Sequence, residues 1–260
     1  MSTWERTTLG RTGLDVCRLG LAASYGCPAA AVEQAFERGV NYLYWGSMRK
    51  GGFADGLRNL RSQRDRVALV LQSYSRIAAL VGWSIERALR NLKYDYADVV
   101  LLGLWNRAIP RKIMDAALEL KRRGLVRHIA ISTHHRPLVP QLAPSAEIGI
   151  FHVRYNAAHP GAETDIFPHL PVNGSRPGIV AYTATSWRQL LDPKRVPAGE
   201  RIPTAADCYR FALTNPSVDL CMTGPATLDQ TLDGLKALDL GPMTETELAW
   251  MHRIGAAIHK

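Results

Sequence analysis

Cysteine is scarce: Cys17, Cys27, Cys208 and Cys221 are the only four in 260 residues. None forms a CxxC pair and none stands beside a pair of histidines, so neither a disulfide framework nor a zinc site is suggested. They read as small core residues. Long apolar runs are missing too, none approaching the roughly 20 residues that cross a bilayer. The opening MSTWERTTLG is charged and polar where a secretory leader needs an apolar core. A cytoplasmic location without membrane contact is therefore expected. There is no internal repeat, low-complexity tract or interdomain linker; the prolines and glycines around 173–177 and 192–203 fall within loops. With 47% hydrophobic and 21% charged residues, the composition argues against disorder and for one globular domain over residues 1–260.

Positive charge is in excess, at a formal net +9, which suits an anionic small molecule. Nucleic acid would want a contiguous basic face. Here Arg61, Arg64 and Arg66 are interrupted by Asp65, and Lys121, Arg122 and Arg123 close a helix, where cations favour the helix dipole. No nucleic-acid partner is expected, and nothing bears on the oligomeric state.

Short β-rich runs alternate with amphipathic helical stretches. VCRLGL (16–21) precedes AAVEQAFERG, NYLYW precedes FADGLRNLR, VALVLQ (67–72) precedes SIERALRNL, and DVVLL (98–102) precedes KIMDAALELKRRG. HIAIS (128–132), IFHVRY (150–155), GIVAY (178–182) and LCM (220–222) complete eight strands, each followed by a helical signal. Eight such units in about 240 residues match the closed eight-stranded α/β barrel in count and size. An open doubly wound sheet would want a glycine-rich turn after its first strand, and GLAASYG is a poor one. Thr8–Val16 reads as a hairpin ahead of the barrel, Ser84 as a helix N-cap, Gly124 as a helix C′ residue, and 244–258 as a final helix opened by a TxTE capping box.

Chemistry in such barrels sits at the C-terminal ends of the strands, which singles out Tyr44 and Arg49 after the second strand, His134 and His135 after the fifth, and Arg154, His159 and Glu163 after the sixth. A histidine and a carboxylate there suit acid/base work, and Arg154 with Arg49 suits a carboxylate or phosphate. A metal held by His134, His135, His159 and Glu163 is conceivable, but adjacent loop histidines rarely face one ion, and no metal is expected. The plainer alternative makes the histidines loop hydrogen bonders and leaves Tyr44 and Trp45 as filling.

Several segments resemble the aldo-keto reductase family: LGRTGLDVCRLGLAASYG, its opening hairpin and first strand; SIERALRNLKYDYADVVLLG; LELKRRGLVRHIAIS; and NPSVDLCMTGPATLDQTLDGLKAL. The resemblance implies a (β/α)8 barrel and carbonyl reduction with NADPH or NADH, assisted by an Asp, Tyr, Lys and His tetrad. All four places are changed. Tyr44 stands for the aspartate, Arg49 for the tyrosine, Ser73 with Gln72 before it for the lysine, and Gly103 for the histidine. For the cofactor, the resemblance implies Ser132 at the nicotinamide amide, with Thr133 and His152 in place of an asparagine and a glutamine. It also implies Tyr182 under the nicotinamide ring, Gly224 and Gln230 toward the adenosine, and Arg188 at a phosphate. Trp45 and Trp105 are expected near the nicotinamide. Three readings stay open: an oxidoreductase with a non-standard site acting on a carbonyl, imine or activated alkene; a non-redox lyase, isomerase or dehydratase using Tyr44, Arg49, His134, His159 and Arg154; and a silent cofactor- or metabolite-binding relative.

Overall fold

The computed structural model describes residues 4–46, 51–172 and 174–259. A two-stranded antiparallel hairpin, β1 (Thr7–Thr8) and β2 (Asp15–Val16), precedes a closed barrel of eight parallel strands. The barrel strands are β3 (Leu19–Ala22), β4 (Tyr42–Trp45), β5 (Ala68–Ser73), β6 (Ala97–Leu102), β7 (Val126–Thr133), β8 (Ile150–Arg154), β9 (Gly178–Tyr182) and β10 (Leu220–Thr223), closed by pairing β10 with β3. Around them run α1 (Ala29–Glu37), α2 (Phe53–Asn59), α3 (Ala78–Leu92), α4 (Arg111–Arg122), α5 (Leu138–Leu142), α6 (Ala162–Asp165), α7 (Ala205–Thr214), α8 (Leu228–Leu240) and α9 (Glu245–Ile258). Among the described residues no helix is long and apolar enough to cross a membrane.

The barrel strands are buried on both faces, and their alternation divides the core. One set of side chains, including Leu21, Leu43, Leu71, Val100, Ile131 and Phe151, packs outward under the helices. The other, including Tyr42, Val70, Val99, Ala130, Ile150, Val180 and Leu220, fills the barrel interior. This parity decides which residues at the strand ends face the mouth.

Most of the expected boundaries hold. The hairpin forms, Gly124 is left-handed (φ 73°) just past α4, and Thr244 and Glu247 make the capping box of α9. Ser84 differs: it lies inside α3, its hydroxyl donating to the Val81 carbonyl at 2.9 Å. The apolar period that buries Ile85 and Leu89 extends back to Val81, so the helix starts seven residues earlier, at Ala78, with Ile77 in the N-cap position.

Buried ion pairs tie strand to strand at the barrel's lower end. Asp98 of β6, 2% exposed, accepts from the Leu69 amide of β5 and from Arg64, both at 2.8 Å, and from Arg127 at 3.3 Å. Asp219 does the same for Ile179 of β9 with Arg176. Burial pushes the Asp98 carboxyl upward against the pull of Arg64 and the Leu69 amide, so the carboxylate depends on those partners. Arg64→Met is expected to cost about 3 kcal/mol at pH 7. Because a buried carboxylate left with only Arg127 and the Leu69 amide raises its pKa further, the loss shrinks toward pH 4, where Asp98 takes up a proton. Urea unfolding at both pH values checks this; an equal loss at pH 7 and pH 4 contradicts it.

Candidate active site

At the C-terminal end of the barrel, Ala22, Tyr44, Gln72, Leu101, Ser132, His152, Tyr182 and Met222 line the floor of a cleft of about 1010 Å³. The cleft continues under the loop after β9 (Thr183–Arg188) and along the starts of α7 (Thr204–Asp207) and α8 (Gly224–Gln230). It is therefore long as well as deep, joining the barrel mouth to the outer surface of α8.

The floor is built from neutral hydrogen-bonded pairs. The Tyr44 hydroxyl donates to Gln72 Oε1, and the Tyr42 hydroxyl lies 2.9 Å from His152 Nε2. Burial drives the His152 imidazole down to about 3, so it is neutral at physiological pH. The inward position of β5 belongs to Gln72; Ser73 faces outward, its hydroxyl accepting from the Ser75 amide and from Ser84. Among the inward residues of the mouth, then, a glutamine holds the place compared above with the family's lysine.

Two glycines make room for this arrangement. A Cβ on Gly103 would lie 2.2 Å from Gln72 Nε2 and 2.7 Å from the Tyr74 ring, and one on Gly46 would lie 2.2 Å from Tyr44 Oη. A histidine at 103 is incompatible with Gln72 and Tyr74 where they stand.

On the β7 side, Ser132 Oγ accepts from the Leu104 amide at 3.0 Å, leaving its own proton for a ligand. Thr133 Oγ1 is turned into the loop, accepting from the His135 amide at 2.9 Å. His134 stacks on Tyr182 with ring centroids 5.9 Å apart. Burial, then Arg154, lowers the His134 pKa. The Tyr182 hydroxyl is buried without a hydrogen-bond partner among the described residues. Beyond it the backbone is strained: Thr183 (φ 60°), Ser186 (49°), Trp187 (52°) and Arg188 (70°) are all left-handed, as is Leu104 (41°) across the cleft. Such geometry is rare for β-branched and bulky residues and costs of order 1–3 kcal/mol each.

The candidate residues do not all converge. Tyr44, Ser132, His134, His152, Tyr182, Arg188, Gly224 and Gln230 line the cleft, whereas Arg154 and His159 stand at its edge near Trp187. Arg49 lies outside the described residues. Gln230 is partly committed, its Oε1 accepting from the Ala226 amide at 2.8 Å. Glu163 accepts from the Tyr155 hydroxyl at 2.6 Å, away from the histidines, and the described residues hold no cluster of three or more metal-ligating side chains. The expectation for Trp45 and Trp105 is corrected: strand parity turns the Trp45 indole outward, and Trp105, in the loop after β6, is buried in the same packing beneath the helices, with Arg76 stacked on it. The cleft's indole is Trp187, half exposed. Sequence reasoning also missed two ion pairs in the cleft wall, Arg201–Asp207 at 3.0 Å and Lys236–Asp233 at 2.6 Å. Helical spacing of Asp233 and Lys236 signals the second; nothing local signals the first.

Two outcomes are expected. Gly103→Ala should lower stability by about 1–3 kcal/mol, by forcing Gln72 and Tyr74 apart; an unchanged melting temperature contradicts the packing account. His152 binds its proton only far below the 6.5 of an unfolded histidine, so the stability it confers is complete above pH 6.5 and is lost as pH falls toward 3. His128, pushed down to about 4 by burial, adds to the same trend. Between pH 6 and 4, His152→Gln should remove about 1.4 kcal/mol per pH unit from the slope of unfolding free energy against pH. An unchanged slope contradicts this.

The family model described as the aldo/keto reductase family matches residues 81–195, a segment that includes Ser132, His152, Tyr182 and Arg188 but stops short of Tyr44, Gln72 and α8. No curated protein matches the sequence. Solved structures do. The holo form of aldo-keto reductase AKR11C1 from Bacillus halodurans superposes with a TM-score of 0.79 at 18% identity, covering 96% of each chain. Its apo form gives 0.76 at 19%, covering 96% of this chain and 95% of that one. An aldo/keto reductase from Klebsiella pneumoniae, described in complex with NADP and acetate, gives 0.79 at 23%, covering 97% and 96%. By sequence over residues 81–195 and by fold over nearly its whole length, this chain resembles the aldo-keto reductases.

Proposed function

We propose that the protein is a nicotinamide-dependent oxidoreductase with a non-standard active site, acting on a small anionic carbonyl, imine or activated alkene. The observation that carries this reading is the cleft itself: it runs from the barrel floor past Tyr182 and the strained Thr183–Arg188 loop to the start of α8, in one continuous trough. Strain of that kind, held by the surrounding structure, clusters at active sites and ligand clamps. The residues present suit a dinucleotide: Ser132 offers a hydroxyl proton, Tyr182 offers a ring face and an unsatisfied hydroxyl, and Arg188 offers a guanidinium near the left-handed turn. The Klebsiella relative, described with NADP, supports the same reading. Arg201 and Lys236 are each already paired with a carboxylate, which leaves the choice between NADP and NAD to measurement. The cytoplasmic setting expected from the sequence accompanies this proposal.

When bound, the nicotinamide supplies hydride. The chain's own part follows from the floor. The Tyr44 proton is engaged by Gln72 Oε1, and among the described inward residues of the floor there is no lysine to raise its acidity. Tyr44 then offers the substrate a lone pair and a hydrogen-bonded surface more than a proton, which suits an acceptor activated in advance, such as an iminium or conjugated alkene. Met222, Leu101 and the Tyr44 ring give the floor its apolar surface.

The neutral Tyr44–Gln72 pair equally favours a second reading, a relative that binds the dinucleotide without turnover. One experiment addresses both. Titration with NADPH and NADH, followed by emission of Trp187 against a Trp187→Phe control, should give binding at the micromolar level. No binding at millimolar concentration contradicts the proposal. Given turnover, Tyr44→Phe should cost about tenfold or less in kcat/KM, since loss of an obligatory general acid costs on the order of 10²–10⁴. Binding with no turnover on any carbonyl, imine or alkene selects the silent relative.

A further inference from the structure

At the edge of the cleft, Arg154 ends β8 directly opposite Tyr182 in the strand register. Its guanidinium lies 6.0 Å from the Trp187 ring. His134 and His159 flank it, with depressed pKa values to which its charge contributes; His159, lowered first by burial, falls to about 4. The other cation nearby, Arg136, is balanced by Asp165 at 2.5 Å, and the remaining carboxylate of that loop, Glu163, accepts from the Tyr155 hydroxyl. Among the described residues no carboxylate pairs with Arg154. A half-buried guanidinium, the neutral His134 imidazole, and an indole wall held in place by a left-handed backbone thus meet at one edge of the mouth, with no counter-ion among the described residues, while His159 gives its Nδ1 proton to Asn156 Oδ1 at 3.2 Å. That is the complement of a small planar oxyanion, which a guanidinium fork binds through two parallel hydrogen bonds.

We propose that Arg154, His134 and Trp187, with His159 at the border, form an oxyanion-binding subsite, separate from the dinucleotide's phosphates, that takes the carboxylate or phosphate group of the substrate. The subsite rests on the oxidoreductase reading for its role beside the hydride-transfer end, but not for its existence. Its place also accounts for the strained Trp187, whose indole closes the side of the site away from β7.

The test uses the intact protein without cofactor, and follows the Trp187 indole Nε1 resonance by NMR during titration with sodium acetate, with inorganic phosphate, and with acetamide as a neutral mimic of acetate. Both anions are expected to shift that resonance saturably, and acetamide is not. Arg154→Ala should weaken anion binding about tenfold or more. Arg154→Lys, which keeps the charge and loses the fork, should weaken it severalfold and covers the case in which the alanine variant fails to fold. Saturating NADPH should leave the anion bound. Equal response to acetamide, no shift at Trp187, unaltered affinity in the foldable Arg154 variants, or full displacement of the anion by NADPH would each overturn the subsite. Anion binding in a protein that binds no dinucleotide would instead leave the subsite standing and remove the oxidoreductase reading.

Discussion

The hydrogen bond from Tyr44 to Gln72 exists because residues 46 and 103 have no side chains. A Cβ at either position would fall on the atoms that make or flank that bond. The floor of the barrel is thus one solution to a packing problem in which four positions are coupled: two long polar side chains cross the mouth, and two glycines accept them. A tyrosine and a glutamine hydrogen-bond there without net charge, and with His152 neutral beside Tyr42 the described residues of the buried floor form neutral pairs. That constraint sets the chemistry available. A floor of neutral pairs lends an approaching substrate shape and hydrogen-bond direction, and leaves charge recognition to the rim.

The rim complements it. Strain and uncompensated positive charge gather on the β7 to β9 side, where the Thr183–Arg188 turn, Arg154 and the two histidines meet. Carboxylates hold the other cations of the cleft wall in place, Asp207 for Arg201 and Asp233 for Lys236. The division between a neutral floor and a cationic edge is what a reaction needs when the reacting atoms are already activated and the substrate is recognised through an anionic group remote from them.

Much of the fold was legible in the sequence, because the barrel imposes two strong periods at once. Strands buried on both faces read as unbroken apolar runs such as DVVLL and GIVAY, and helices between them carry 3.6-residue stripes. The exception at Ser84 shows the limit: a serine that could cap a helix is overridden when the apolar face continues upstream to Val81. The site was legible only as a set of places. Strand ends pointed to Tyr44 and His134, and the family resemblance to Ser132, His152 and Tyr182, all of which line the cleft. Side-chain parity could not be resolved at single-residue precision by resemblance, so Ser73 and Gln72 were confused, and Trp45 and Trp105 were expected in a cleft from which they are turned away. Trp187 and its left-handed neighbours carry no local sequence signal, since no glycine marks a turn that tertiary packing forces on a tryptophan and an arginine.

The central claim is that the trough past Tyr182 holds a dinucleotide. Hydrogen exchange of the intact protein with and without NADPH or NADH tests it most directly. The account predicts slowed exchange confined to the Thr183–Arg188 turn and the start of α8 around Gly224–Gln230. Unchanged exchange in both segments at saturating dinucleotide, or protection elsewhere alone, would contradict it.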